Sequence, residues 1–209
     1  MPTEVKKILF VVNAPEYFLS HRFCIAKTAI DDGFEVHVAG PPSGKVYTGE
    51  EDPINTINKH KVVYHEVGIV RGGQNPLREL RTLLQLVRLL LAIKPDLAHL
   101  ITIKPVLYGG IAARMTGVGA VVSAVAGLGT VFLADSVNAK LRRWVVTRLY
   151  KAAFRQKRLA VIFQNPDDRD TLISLGALQP TQARMIRGSG VSLADYPFVP
   201  EPQGVPAVV

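Results

Sequence analysis

Residues 97–110 read LAHLITIKPVLYGG, so His99, Thr102 and Lys104 follow one another where an apolar run meets a proline and a glycine pair. An imidazole can hold or pass a proton near neutral pH, and an ammonium group attracts anions. Four other stretches carry groups of related kinds. In NAPEYFLSHR, His21 and Arg22 are expected in the first turn of a helix, where backbone N–H groups already favour an anion such as a sugar phosphate. A solvated Arg22 beside a packed His21 is the alternative. AVAGLGTVF offers Gly127 and Gly129, which admit a ligand close to bare backbone or simply make a turn. In FQNPDDRD, helix capping accounts for Asp167 and Asp168, and Asn165 is left as a residue that can face a cleft. In RGSGVSLADYPF, Gly188 and Gly190 flank Ser189, which suits a hinge before a proline-rich stretch, or a nest of amides facing phosphate.

These groups need a scaffold that brings them together. Runs rich in apolar residues recur at 7–13, 34–40, 62–68, 97–101, 120–125, 159–163 and 183–187. Several are almost continuously apolar, as parallel strands covered on both faces are. Helical patterns fill most of the gaps. Ser20 is expected to cap a helix that buries Phe23, Ala26, Ala29 and Ile30 and ends at Gly33. Asn75 and Pro76 begin another, with Leu77, Leu80, Leu84, Val87 and Leu91 as its buried stripe. Further helices are expected over about 106–115, 138–157 and 167–175. The alternation predicts an α/β fold with a Rossmann-like, doubly wound, mostly parallel sheet of about seven strands, whose ligands sit beyond the carboxyl ends of the strands. His99 and Lys104 then fall at that rim. Residues 1–190 are expected to form this domain. Residues 191–209, with prolines at 197, 200, 202 and 206, read as a linker running into VPAVV, the cut-off start of another strand.

Composition narrows the function classes. The formal charge of +8 is concentrated between Lys140 and Arg158, where eight cations stand without an acid. Phosphate-rich ligands and anionic lipid are the expected partners. Arg142, Arg143, Trp144, Arg148 and Lys151 lie in this segment, whose mixture of cations with Leu141, Trp144, Val145 and Phe154 suits a membrane surface; an ordinary helix with a solvated basic face is compatible with that. No nucleic acid is expected, because no helix-turn-helix, zinc-ligand or aromatic RNA-binding signature accompanies the charge. The five histidines show no close ligand spacing, and Cys24 is the single cysteine, so no metal is expected. The lone cysteine also excludes an internal disulfide framework and fits a reducing cytoplasm. Nothing in MPTEVKKILFVV resembles a secretory signal, so export is not expected, and LLQLVRLLLAI is far short of the ~20 residues of a membrane span. G-x-G-x-x-G, G-x-S-x-G and G-x-x-x-x-G-K patterns are lacking, which weighs against nucleotidases and serine hydrolases.

Taken in order, ILFVVNAPEYFLSHR, HLITIKPVLYGGIAAR, AVAGLGTVF, VIFQNPDDRD and IRGSGVSLADYPF resemble the N-terminal domain of family 4 glycosyltransferases, most closely those of bacterial surface-polysaccharide and lipopolysaccharide O-antigen assembly. The resemblance implies the N-terminal half of a GT-B fold, in which two Rossmann-like domains face a cleft. It further implies an acceptor side that receives a lipid-linked sugar, and a donor side, with a pair of glutamates, that is missing here. By this resemblance His99 is the catalytic candidate. His21, Arg22, Thr102, Lys104, Gly127, Gly129, Asn165, Gly188 and Ser189 are its substrate-binding companions. No cofactor is expected in this domain, the nucleotide-sugar donor belonging to the full-length enzyme. The chain alone is expected to be inactive unless a separate donor-binding protein joins it, at the inner face of the cytoplasmic membrane. A non-catalytic membrane-associated acceptor-binding subunit, or a Rossmann-like binding module, is the alternative.

Overall fold

The structure, a computed structural model, describes residues 5–43, 51–70, 72, 75–128, 137–188, 190 and 198–200, with the backbone alone for 137–139. Gly129, Ser189 and most of the 191–209 segment lie outside the described residues.

Seven strands form in the seven apolar runs: β1 (Lys7–Val11), β2 (Glu35–Gly40), β3 (Val62–Glu66), β4 (Leu97–Ile101), β5 (Ala120–Val125), β6 (Leu159–Phe163) and β7 (Ala183–Met185). They make one sheet of order β3-β2-β1-β4-β5-β6-β7, and every pairing is parallel. Parallel neighbours require crossovers, supplied by α1 (Pro15–His21), α2 (Phe23–Asp31), α3 (Pro53–Lys59), α4 (Pro76–Ile93), α5 (Gly110–Thr116), α6 (Val137–Ala153) and α7 (Pro166–Ser174).

Alternation along each strand sends residues to two cores. Ile8, Phe10 and Val12 pack with Phe18, Ala26 and Ile57 on one face; Leu9 and Val11 pack with Leu86, Ala112, Tyr150 and Leu172 on the other. The sheet is therefore covered on both sides, which is why its strands read as continuous apolar runs.

The helices depart from the sequence reading in three places. The segment before Phe23 is itself helical: Pro15 occupies the first turn of α1, where its missing N–H costs nothing. His21 therefore ends α1, and Arg22 is the backbone N-cap of α2. Ser20 caps nothing; its hydroxyl donates to the Glu16 carbonyl at 2.8 Å. The second departure concerns α4. Asn75 caps it as expected, its side-chain oxygen accepting from the backbone of Leu77 and Arg78. Its buried face, however, is Thr82, Leu86, Leu90 and Ile93. Leu77, Leu80, Leu84 and Leu91 are exposed, at 78%, 53%, 47% and 54%. Leucine is so abundant on α4 that its spacing allows two faces, and the Thr82 hydroxyl, donating to the Gly68 carbonyl at 2.7 Å, anchors the one that is used. Third, the chain leaves β4 through a π-turn, Pro105–Gly109, before α5 begins.

The glycine pair has a packing role. A Cβ at Gly110 would lie 2.8 Å from the Ala153 Cβ and 3.1 Å from its carbonyl oxygen, so α5 and α6 meet there backbone to backbone. Gly110→Ala gains about 1 kcal/mol in helix propensity. It must nevertheless push α6 away, at a cost of about 1–3 kcal/mol. We expect a net fall in thermal midpoint, read by calorimetry; a rise would mean that the two helices do not meet so closely.

Candidate functional site

Strand alternation sets the site. Phe10 on β1 and His99 on β4 are register partners, and their rings stack with centroids 5.2 Å apart, on the face that α1 and α2 cover. Above them lies Arg22, at the junction of α1 and α2. It is 7% exposed, as is His99, and its guanidinium donates to the His21 carbonyl at 3.0 Å and sits 5.8 Å from the Tyr17 ring centre. Both side chains line a cleft of about 110 Å³. The end of β5 (Ala124 to Ala126) contributes to it, as do Ile162 and Gln164 on and after β6, Ile25, Ile186 and Gly188. All these strands present their carboxyl ends there, the rim at which doubly wound sheets take ligands.

The electrostatics follow from burial. Desolvation, reinforced by the nearby Arg22 charge, pushes the His99 imidazole down to about 4, so at neutral pH the ring is uncharged. Its Nε2 has no hydrogen-bond partner among the described residues. The same holds for Asn13 Oδ1 just after β1, Thr102 Oγ1 just after β4, and Ser123 Oγ on β5. Buried polar atoms without partners are uncommon; Asn13 and Thr102 stand just past the carboxyl ends of β1 and β4, whereas Ser123, the register partner of Leu100, faces the other core. Thr102 is also held at φ +74°, a costly conformation for a β-branched residue. Its N–H donates to the Ala124 carbonyl across the strand ends.

The sequence-derived candidates separate on this map. His99, Arg22 and Gly188 meet in the cleft, and Gly127 follows the lining residue Ala126 with φ +153°. His21 is exposed; it stacks on Tyr17 at 4.4 Å and hydrogen-bonds the Ser20 hydroxyl. Lys104 does not line the cleft. Its ammonium contacts Glu79 of α4 at 2.6 Å and donates to the Gly72 carbonyl, on the opposite side of the sheet from α1 and α2. Asn165 is committed to capping α7, accepting from the Asp168 N–H and donating to its carboxylate, both at 2.8 Å. Its neighbour Gln164 reaches the cleft instead, and strand parity from Ile162 is the signal that finds it. Sequence spacing also missed His37 and His65, which meet at 3.0 Å across β2 and β3, with Glu35 2.7 Å from the far side of His37. Among the described residues no group of three His, Cys, Asp or Glu is placed to hold a metal. Arg142, Arg143, Trp144, Arg148 and Lys151 all fall on α6, away from the cleft lining.

Comparison with known proteins fits this geometry. The profile of the family described as glycosyl transferase 4-like matches residues 7–165, from β1 to the cap of α7. The chain belongs to that family. A search of curated proteins found no match. Among solved structures, MurG of Acinetobacter baumannii aligns at 16% identity and TM-score 0.55, covering 91% of this chain and 47% of that one. HepE of Anabaena, solved in complex with UDP and glucose, aligns at 16% and 0.55, covering 88% and 44%. UDP-GlcNAc 2-epimerase of Neisseria meningitidis, solved bound to UDP-GlcNAc, aligns at 15% and 0.55, covering 86% and 46%. The likeness is one of fold, that of the Rossmann-like N-terminal half of GT-B proteins, and this family member spans less than half the length of each of the three.

The neutral His99 gives a pH signature. Its folded-state value lies below the 6.5 of the unfolded chain, so the unfolded state takes up the proton first as pH falls. Its contribution is complete above pH 6.5 and is lost between 6.5 and 4, by ~3 kcal/mol at most. Urea unfolding across that window should show the loss in the native sequence and a shallower one in His99→Phe. Equal slopes would mean that His99 is not buried uncharged.

Proposed function

We propose that this chain is the acceptor-side half of a glycosyltransferase that moves a sugar from a nucleotide-sugar donor to a lipid-linked or saccharide acceptor in bacterial polysaccharide or lipopolysaccharide synthesis. The observation that carries the reading is the meeting of a buried neutral imidazole and a buried guanidinium in one cleft at the carboxyl rim of a glycosyl transferase 4-like sheet. The pair divides the work. Arg22 receives a phosphate oxygen of the acceptor or donor, and His99 accepts a hydrogen bond from the hydroxyl that is to attack the anomeric carbon. A phosphate beside Arg22 offsets the charge that helps depress His99, which brings the imidazole toward the range of a useful base. The unpartnered Asn13 and Thr102 oxygens, just past the ends of β1 and β4, supply further sites for sugar hydroxyls or ordered water.

The donor is assigned to a second domain facing this rim, either downstream in the same protein or on a separate partner, and no cofactor is assigned to this one. Holding both substrates in register supplies ~7–11 kcal/mol of a transfer barrier, so the 209-residue chain alone is expected to be inactive. Purified chain, acceptor lipid and several nucleotide sugars test this; steady turnover without a partner would reject the division of labour. Binding of a sugar diphosphate, followed by calorimetry, is expected to weaken about tenfold or more in Arg22→Gln, since charge-assisted hydrogen bonds are the stronger kind. Unchanged affinity would place the phosphate elsewhere.

A lipid-borne acceptor requires the protein to reach a membrane. Among the described residues no helix is long and apolar enough to cross one. Peripheral binding at the inner face of the cytoplasmic membrane is supported by the helix layer on one side of the sheet. Leu141, Trp144 and Val145 of α6 are 62%, 58% and 42% exposed among Arg142, Arg143, Arg148 and Lys151. The exposed leucines of α4 stand among Arg78, Arg81 and Arg88. Such mixtures bury apolar side chains at headgroup depth while cations meet anionic lipid. Replacing Leu80 and Leu84 together with Asn should leave stability within about 1 kcal/mol, as surface substitutions do. The same change should lower cosedimentation with phosphatidylglycerol vesicles at low salt. Equal sedimentation of both proteins would remove α4 from the contact.

A further inference from the structure

A second concave site lies at the other pole of the domain. α6 runs from the carboxyl end of β5 back to the amino end of β6, and α7 makes the same return toward β7. Their far ends, with the last residues of α5 and the 3-10 turn Pro180–Gln182, enclose a groove of about 780 Å³. Arg114 enters from α5, Arg148 and Lys151 from α6, and Arg155 from just beyond it; Gln179 and Gln182 close the far wall. No carboxylate is among its described lining residues. The floor is low at Gly176, where φ is +63° and an added Cβ would stand 3.7 Å from the Lys151 ammonium. Gln156 braces the walls, donating to the Gly110 carbonyl of α5 at 2.7 Å and to the Ala153 carbonyl of α6.

Four cations, one from α5 and three from α6 and the residues just beyond it, border one hollow and repel one another, and a bound anion offsets that repulsion. A basic face on a convex surface would spread its charge; here the cations, Arg114, Arg148 and Arg155 exposed and Lys151 half-buried, border one concave space of the size that holds a nucleotide or a lipid headgroup. We propose that this groove is an anion site for a compact ligand carrying two or more phosphate groups, either free as a diphosphate or borne on a lipid. It is separate from the cleft of His99 and Arg22, and its existence does not rest on the sugar-transfer reading.

The molecule carries its own reporter. Trp144 is the single tryptophan of the chain, and the Arg148 guanidinium lies 5.1 Å from its ring centre. An anion that engages Arg148 at the groove shifts its guanidinium against this ring and changes Trp144 emission. The 209-residue chain would be titrated with inorganic pyrophosphate at about 0.05 M ionic strength, where screening is weak. Vesicles containing phosphatidic acid, and vesicles of equal charge made with phosphatidylserine, form the lipid arms. The comparison protein carries Arg114→Gln, Lys151→Gln and Arg155→Gln, leaving the reporter pair intact.

Saturable binding of pyrophosphate that weakens about tenfold or more in the triple variant supports the site with a free ligand, given the strength of charge-assisted contacts. Response to phosphatidic acid but not to phosphatidylserine, again lost in the variant, supports it with a lipid-borne one. Calorimetry of the same mixtures guards against an emission change without binding. Absence of binding in every arm, a response that the variant keeps, or equal response to both vesicle types with none to pyrophosphate would overturn it.

Discussion

The reversal of strand order between β1 and β4 governs what this domain can do. From β1 the chain winds outward through β2 and β3, then returns past β1 to continue through β4, β5, β6 and β7. The connections on either side of that point leave in opposite directions, so no crossover covers the carboxyl ends of the two central strands. Phe10 and His99 face each other across the junction as register partners. The imidazole is thus held by the pairing of two strands, and its ring orientation by the stacking that the pairing imposes. Arg22 completes the arrangement from above, because α1 ends one residue earlier and α2 begins one residue later.

Charge is segregated on this frame. At the junction the positive group is buried beside a histidine that burial keeps neutral, in a small cleft. At the opposite pole several cations share an open hollow with no acid among the described lining residues. Lys104 belongs to neither: its partner Glu79, which also accepts from the Tyr108 hydroxyl, pins the π-turn to α4. A lysine with so close a carboxylate is a brace between two elements rather than a ligand contact.

Much of this was legible in the sequence, and the failures have specific causes. The central strands, buried on both faces, announce themselves as apolar runs, and the edge strands β3 and β7 as shorter, partly exposed ones, so all seven are legible and His99 falls at the rim. The face of α4 was misread because its leucines occupy nearly every side of the helix; the face used packs Leu86, Leu90 and Ile93 into the core and bonds Thr82 to the Gly68 carbonyl. α1 was hidden because a proline that opens a helix looks like one that interrupts a loop. Arg22 was expected near a helix start but not buried, and its burial depends on the short break between two helices. Gln164 takes the cleft position expected of Asn165 because neighbouring residues leave a strand end in opposite directions. The basic groove was beyond any local reading, since Arg114 joins the α6 cations only after β5 has intervened.

The π-turn at Pro105–Gly109 sets the angular phase of everything that follows it in α5. A π-turn holds one residue more than an α-helical turn, and each residue of an α-helix corresponds to a rotation of about 100°. The helix beyond it is therefore dialled to a setting in which Ala112 and Ala113 look inward while Arg114 looks out toward the far hollow. Shortening this stretch by a single residue would spin that setting, turning an arginine against the sheet and alanines to water, so segment length is here as much a part of the chemistry as residue type.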